Sequence, residues 1–135
     1  MNTAIVGASG YGGEILVKLL AAHPKANLVA ITSRSEAGKS VGSVMPELRG
    51  VLDSLKFENS DPHALAARTD IDCVFLAVPH GVAAKFAGVI SKSGKKVIDC
   101  SADFRISDPA IYEEYYGQHH PDEVLLGDSQ YVLPE

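Results

Sequence analysis

Four glycines fall within seven positions near the start of the chain, Gly7, Gly10, Gly12 and Gly13, in the run VGASGYGGEILVKLL. Backbone amides with no side chain in front of them can donate to an oxyanion. Where such a turn opens a helix, they also sit at the positive end of its dipole. That chemistry suits a phosphate or a diphosphate. Gly7, Gly10 and Gly13 are spaced G-x-x-G-x-x-G, not the G-x-G-x-x-G of the usual dinucleotide fingerprint. Their position, between an apolar run and an amphipathic helix at the head of an alternating domain, carries the dinucleotide reading, against a tight turn kept only for packing.

About 20 residues beyond the last glycine, a dinucleotide site that takes the unphosphorylated cofactor places an acid for the ribose 2′-hydroxyl. This chain has TSRS there. Ser33, Arg34 and Ser35 offer hydroxyls and a guanidinium, which can hold a 2′-phosphate, so NADP is the expected cofactor. Glu36 is the opposing charge, and a solvated Arg34 without a ligand is the plainer alternative.

Two later stretches, AVPHG (residues 77–81) and DCSADFR (residues 99–105), are expected at the carboxyl ends of strands, where open α/β sheets bind ligands. His80 beside Gly81 can contact a pyrophosphate or ribose, or can simply neighbour a helix cap. Arg105 can clamp an anionic substrate, with Asp103 to orient it and Ser101 to donate a hydrogen bond; a local turn network is the alternative. His119 and His120 stand near Asp122 and Glu123 but read as a solvated loop, so no metal is expected. Cys73 and Cys100 sit in apolar, strand-like runs and read as reduced, packed thiols.

The elements that must position these residues follow from periodicity. TAIVG, NLVAITS, IDCVFLAVP and KKVIDCS read as strands, the last two as buried ones. Helices are expected after the glycine turn, where Ile15, Leu16, Leu19 and Leu20 share a face, and from Asp61-Pro62. Further helices are expected from Gly81 to a stop at Gly94, and from Ser107-Asp108-Pro109. Residues 36–50 show no sustained period and read as a long loop, and Leu52, Leu55 and Phe57 as a short extra strand. Strands alternating with helices predict an α/β fold, a doubly wound, Rossmann-type and mostly parallel sheet with helices on both faces.

The 135 residues, 46% of them hydrophobic, are about one domain. A net charge of −5 from interspersed acids and bases leaves no basic face for nucleic acid or a membrane. With no export leader in view, the expected location is cytoplasmic. The run QYVLPE ends without a closing helix, so residues 1–135 are expected to be a cofactor-binding domain cut before a substrate domain.

The stretches VGASGYGGEILVKLL, TSRSEAGKSVGSVMPELRG, VFLAVPHGVAA, VIDCSADFRI and YVLPE together resemble the N-acetyl-γ-glutamyl-phosphate reductases along the whole chain. SADFR, with PHG before it and LPE after it, is the most specific part. The resemblance implies an NADPH-dependent enzyme of arginine biosynthesis, related to the aspartate-semialdehyde dehydrogenases, that reduces an acyl phosphate to an aldehyde.

It also implies a cofactor loop of Gly7, Ser9, Gly10, Tyr11, Gly12 and Gly13, a 2′-phosphate loop of Ser33 to Ser35, and crevice residues Ser101 and Arg105. Arg105 is then assigned to the leaving phosphate. In that family a cysteine attacks the acyl phosphate from a Gly-Asn-Pro-Gly-Cys stretch, with a histidine acid/base much further on. Neither stretch occurs in this sequence, so no catalytic residue is assigned and the chain alone is expected to be inactive. Gly12 replaces a threonine or alanine common in relatives. Family assembly implies a homo-oligomer for the full-length protein. A relative acting on aspartyl phosphate or a carrier-linked aminoadipyl phosphate, or a stand-alone nucleotide-binding module without catalysis, remains as an alternative.

Overall fold

A computed structural model describes residues 1–133; the last two residues of the LPE segment lie outside the described residues. Five strands, β1 (Asn2–Val6), β2 (Asn27–Thr32), β3 (Phe57–Glu58), β4 (Cys73–Leu76) and β5 (Lys96–Asp99), form one sheet in the order β3-β2-β1-β4-β5. All four pairings are parallel. The chain winds outward from β1 to β3 and then crosses to β4 on the other side. A crevice therefore opens at the carboxyl ends of β1 and β4, the switch point of the sheet. The doubly wound expectation is met.

Alternation along β1 explains the layering. Ala4 and Val6 face a core with Val74 and Leu76, closed by α3 (Pro62–Ala67) and α4 (Ala83–Ser91) through Leu65, Ala87 and Ile90. Ile5 faces the opposite core with Ile31 and Phe57, closed by α1 (Tyr11–Ala21) through Val17. Each fully buried aliphatic chain of this kind contributes about 1.5–3 kcal/mol. Thr3 pairs with Leu28 but Ala4 pairs with Ala30, so Val29 is an extra residue in β2.

The remaining elements depart from the sequence reading in instructive ways. Residues 36–50 are not a structureless loop: α2 (Val41–Val44) and a 3₁₀ turn (Pro46–Leu48) bury Val41, Met45 and Leu48 against the α1 side. A helix of four residues is too short to display a period. The third strand holds only Phe57 and Glu58, with Leu52 and Leu55 in the turns before it.

β5 is an edge strand, not a buried one, with Ile98 44% exposed. No described element covers its outer face. After α5 (Pro109–Tyr116), capped by Asp108, a sixth helix that the sequence reading omits, α6 (Glu123–Asp128), is capped by Asp122 on the Leu125 amide. Among the described residues no helix is long and apolar enough to cross a membrane.

Candidate functional site

The glycine turn divides its labour. Gly7 ends β1 with φ at +81°, a conformation open to glycine, and its amide and that of Ala8 both donate to the Thr32 carbonyl at 3.1 and 2.9 Å. A methyl group on Gly7 would strike the Ala77 carbonyl oxygen of β4's continuation, and one on Gly13 would strike the Gly7 carbonyl oxygen. Those two glycines answer to the protein's own backbone. Gly10 and Gly12 do not: a methyl on Gly10 meets nothing nearer than 3.5 Å, and one on Gly12 has nothing within 4 Å. Gly10 caps α1 without a side-chain hydrogen bond, and Glu14 is the first residue of the helix to donate back, to Gly10. The amides of Tyr11, Gly12 and Gly13 therefore have no hydrogen-bond partner among the described residues. Tyr11 is exposed, leaving the approach open.

Beside this turn lies the end of β2. Ser33 is buried, 3% exposed, and its Oγ lies 2.6 Å from Ser9 Oγ while accepting from the Ser35 and Glu36 amides at 3.2 Å each. Ser33 thus ties the glycine turn to the loop after β2 and shapes that loop. Ser35 Oγ stands 3.3 Å from it. Arg34 is exposed and makes no ion pair among the described residues. Glu36 is held at 2.7 Å by Lys39, whose hydrogen bond keeps its carboxyl below the usual range.

His80 and Gly81 follow β4. His80 is exposed, its ring 5.8 Å from that of Tyr116, and Gly81 has φ at +76°. The Gly81 amide is already engaged, donating to both carboxylate oxygens of Asp103 at 2.7 and 2.9 Å. Asp103 is fully buried and does not face a crevice, which corrects its expected role of orienting substrate.

Ser101 donates its amide and hydroxyl to Asp99 at 2.8 and 2.7 Å, and its Oγ accepts the Asp103 amide at 3.1 Å. Arg105 is exposed and donates only Nε, to the Ser101 carbonyl at 3.2 Å, leaving the rest of its fork open to solvent. Both residues line a groove of about 770 Å³ with Val97, Ile98, Phe104 and residues 128–133. The glycine turn and His80 are not part of that groove. Ser101 and Arg105 are brought together, then, and so are the glycine turn and residues 33–35, as two separate groups.

Two expectations about thiols and imidazoles change. Cys73 is buried as expected, but Cys100 is exposed, one residue past the end of β5. Desolvation, then the charge of Asp99, push its thiol up, away from the thiolate a nucleophile needs. His119 is exposed and 2.8 Å from Glu113, whereas His120 is buried, edge-on to Phe104 and Tyr112, with Nδ1 accepting the Asp122 amide. No cluster of three or more metal-ligating side chains forms among the described residues.

Open amides at the first helix, at the switch point of a 3-2-1-4-5 parallel sheet, define a nucleotide-binding domain of the doubly wound class. The chain belongs to the family described as semialdehyde dehydrogenase, NAD binding domain, whose family model matches residues 2–135. Among curated relatives, the N-acetyl-γ-glutamyl-phosphate reductase of Akkermansia muciniphila is 48% identical over 136 residues, covering 100% of this chain and 39% of its own. The protein of that name from Pseudomonas savastanoi is 50% identical over 135 residues, covering 100% and 38%. The resemblance read from SADFR and its flanks is thereby borne out, and the chain spans less than two-fifths of those relatives.

Among solved structures, the aspartate semialdehyde dehydrogenase of Candida albicans, crystallised with NADP, superposes with a TM-score of 0.65 at 20% identity, covering 80% of this chain and 31% of that one. The scyllo-inositol dehydrogenase of Lactobacillus casei, with NAD(H), gives 0.55 at 25%, covering 73% and 27%.

Proposed function

We propose that residues 1–135 are the cofactor-binding domain of an NADPH-dependent reductase that converts N-acetyl-γ-glutamyl phosphate to its semialdehyde in arginine biosynthesis. The half-identical relatives of that name support the substrate assignment. The observation that carries the cofactor assignment is the unpaired Arg34 beside a glycine turn with open amides, its acidic neighbour Glu36 tied off by Lys39.

The residues fit the dinucleotide. Amides of Tyr11, Gly12 and Gly13 hold the diphosphate at the positive end of α1, and the bare faces of Gly10 and Gly12 admit it. Arg34 forks the 2′-phosphate, with Ser35 beside it, while Ser9 and Ser33 keep the two loops in register. His80 and Gly81 form the opposite wall. The Gly81 amide is spent on Asp103, and the side chain of Gln118 fills the space where a Gly81 side chain would stand. When bound, the reduced nicotinamide supplies a hydride.

Arg105 holds the phosphate of the substrate, where a guanidinium stabilises the charge that grows as the acyl bond breaks, while Ser101, its amide and hydroxyl both given to Asp99, anchors Arg105 through its carbonyl. The nucleophile is assigned to the part of the relatives' length that this chain does not span, since the Gly-Asn-Pro-Gly-Cys stretch implied by the resemblance is not in this sequence, and burial raising the Cys73 and Cys100 thiols agrees with that. The test is a titration of the chain with NADPH and NADH, followed by nicotinamide fluorescence. Tight binding of NADPH with weaker binding of NADH is the expected result. An equal response to both would remove the assignment of Arg34. A second assay adds N-acetylglutamyl phosphate, and turnover by the chain alone would overturn the placement of the nucleophile.

A further inference from the structure

Two helices begin at the carboxyl edge of the sheet beside the switch point, and their first turns are finished differently. α1 is left open at Gly10, as described above. α4 also lacks a side-chain cap from its own N-cap residue, Val82, but one amide of its first turn, that of Ala84, is held by a residue from beyond the next strand. Asp103, in the loop after β5, accepts the Ala84 amide at 2.9 Å as well as the Gly81 amide, and takes the Tyr112 hydroxyl at 3.1 Å. Asp103 and Tyr112 are both fully buried. A buried carboxylate surrounded by donors on three sides is costly to displace.

What Asp103 holds in place is the turn at residues 79–81, which carries His80. That turn leaves β4 through Ala77 and Val78, the residues that a side chain on Gly7 would strike. The wall facing the glycine turn is therefore fixed by a side chain on a third loop. The carboxylate also offsets the positive potential of the α4 end.

We propose that Asp103 is a positioning residue for the diphosphate-bearing dinucleotide: by holding the Gly81 and Ala84 amides it sets the His80 wall that faces the α1 amides. The proposal rests on the reading of this crevice as an NADPH site. D103N keeps the volume and loses one acceptor; D103A uncovers the α4 amides. The expected result is that D103N binds NADPH more weakly, by up to about tenfold, the ceiling set by one strong hydrogen bond lost within the protein, with the thermal midpoint recorded alongside. In D103A, inorganic phosphate shifts the Gly81 and Ala84 amide resonances, which it leaves unmoved in the parent chain. That signature reports the uncovered amides, and a loss of NADPH affinity at an unchanged thermal midpoint separates positioning from a merely structural role.

D103N that binds NADPH like the parent, while its Gly81 and Ala84 resonances report a lost cap, overturns the proposal. Should both variants fail to fold, Y112F decides. Weaker NADPH binding at an unchanged thermal midpoint supports the positioning role, and unchanged binding overturns it. If the parent chain binds no NADPH, the cofactor reading falls, and the phosphate response of D103A still judges the closure of α4.

Discussion

The carboxylate of Glu36 lies 2.7 Å from Lys39 Nζ, and Arg34, two residues before it, is left without an ionic partner among the described residues. A guanidinium so placed can be given wholly to a 2′-phosphate. Arg34→Ala is expected to weaken NADPH about 10- to 100-fold, the worth of a charge-assisted bond, and to leave NADH almost unchanged. Lys39→Ala frees Glu36 to compete for Arg34, so it should weaken NADPH by a smaller factor. Fluorescence titrations with both cofactors check each. A loss that is equal for NADPH and NADH would show that Arg34 does not read the 2′-position.

The glycines of the turn should separate into two stability classes. Gly7→Ala meets both a positive φ and the Ala77 carbonyl, and Gly13→Ala meets the Gly7 carbonyl, so each is expected to cost about 1–3 kcal/mol. Gly12→Ala meets nothing within 4 Å and sits in α1, where alanine is favoured by about 0.5–1 kcal/mol. Urea unfolding of the three variants measures this order. A destabilised Gly12→Ala with a tolerated Gly13→Ala would contradict the packing described here.

The alternation was legible where elements such as β1, β2, α1 and α4 are long enough to show their period, and Asp61 and Asp108 were legible as caps because their partners are two and three residues away. Asp103 was not. Its partners Gly81, Ala84 and Tyr112 come from other segments, so a local reading gives a residue to orient substrate or a polar residue in a turn. His120 was misread for the same reason, since Phe104 and Tyr112 reach it from separate segments. Ile98 looks buried by composition, but burial belongs to a neighbour, and none of the described elements covers it. The glycine turn was legible as a turn, although sequence could not divide the glycines that pack from those that stay open.

Acid should weaken the fold through specific pairs. Asp70 has its carboxyl held below the usual range, first by the hydrogen bond from Arg68, and Glu47 is lowered first by Lys18. A carboxyl lowered in the folded state stabilises it above the ordinary value of about 4, and that contribution is lost as pH falls through the lower, folded value. Arg68 also pairs with Glu58 at 2.9 Å. Arg68→Ala is therefore expected to lower the thermal midpoint at neutral pH, and the gap from the parent should close in acid. Asp99 runs the other way: burial raises its carboxyl, so its contribution is present at low pH and lost as pH rises through the raised value. Thermal melts across pH test the pair, and a gap that stays constant into acid would rule out the Arg68 pairs as its source.

Thiol labelling tests where the nucleophile belongs. Cys73 is fully buried and Cys100 exposed, so iodoacetamide should modify Cys100 alone in the folded chain and both after unfolding. Desolvation and then Asp99 raise the Cys100 thiol, so its labelling rate should reach half its maximum above the ordinary thiol value of about 8.5. Asp99→Asn removes the second of those causes and should bring the midpoint down without carrying it below the ordinary value. A nucleophile that attacks an acyl phosphate at neutral pH needs the opposite shift. A labelling midpoint near or below 7 in the parent chain would make Cys100 a nucleophile in its own right, and the reaction would then have to be built within these residues.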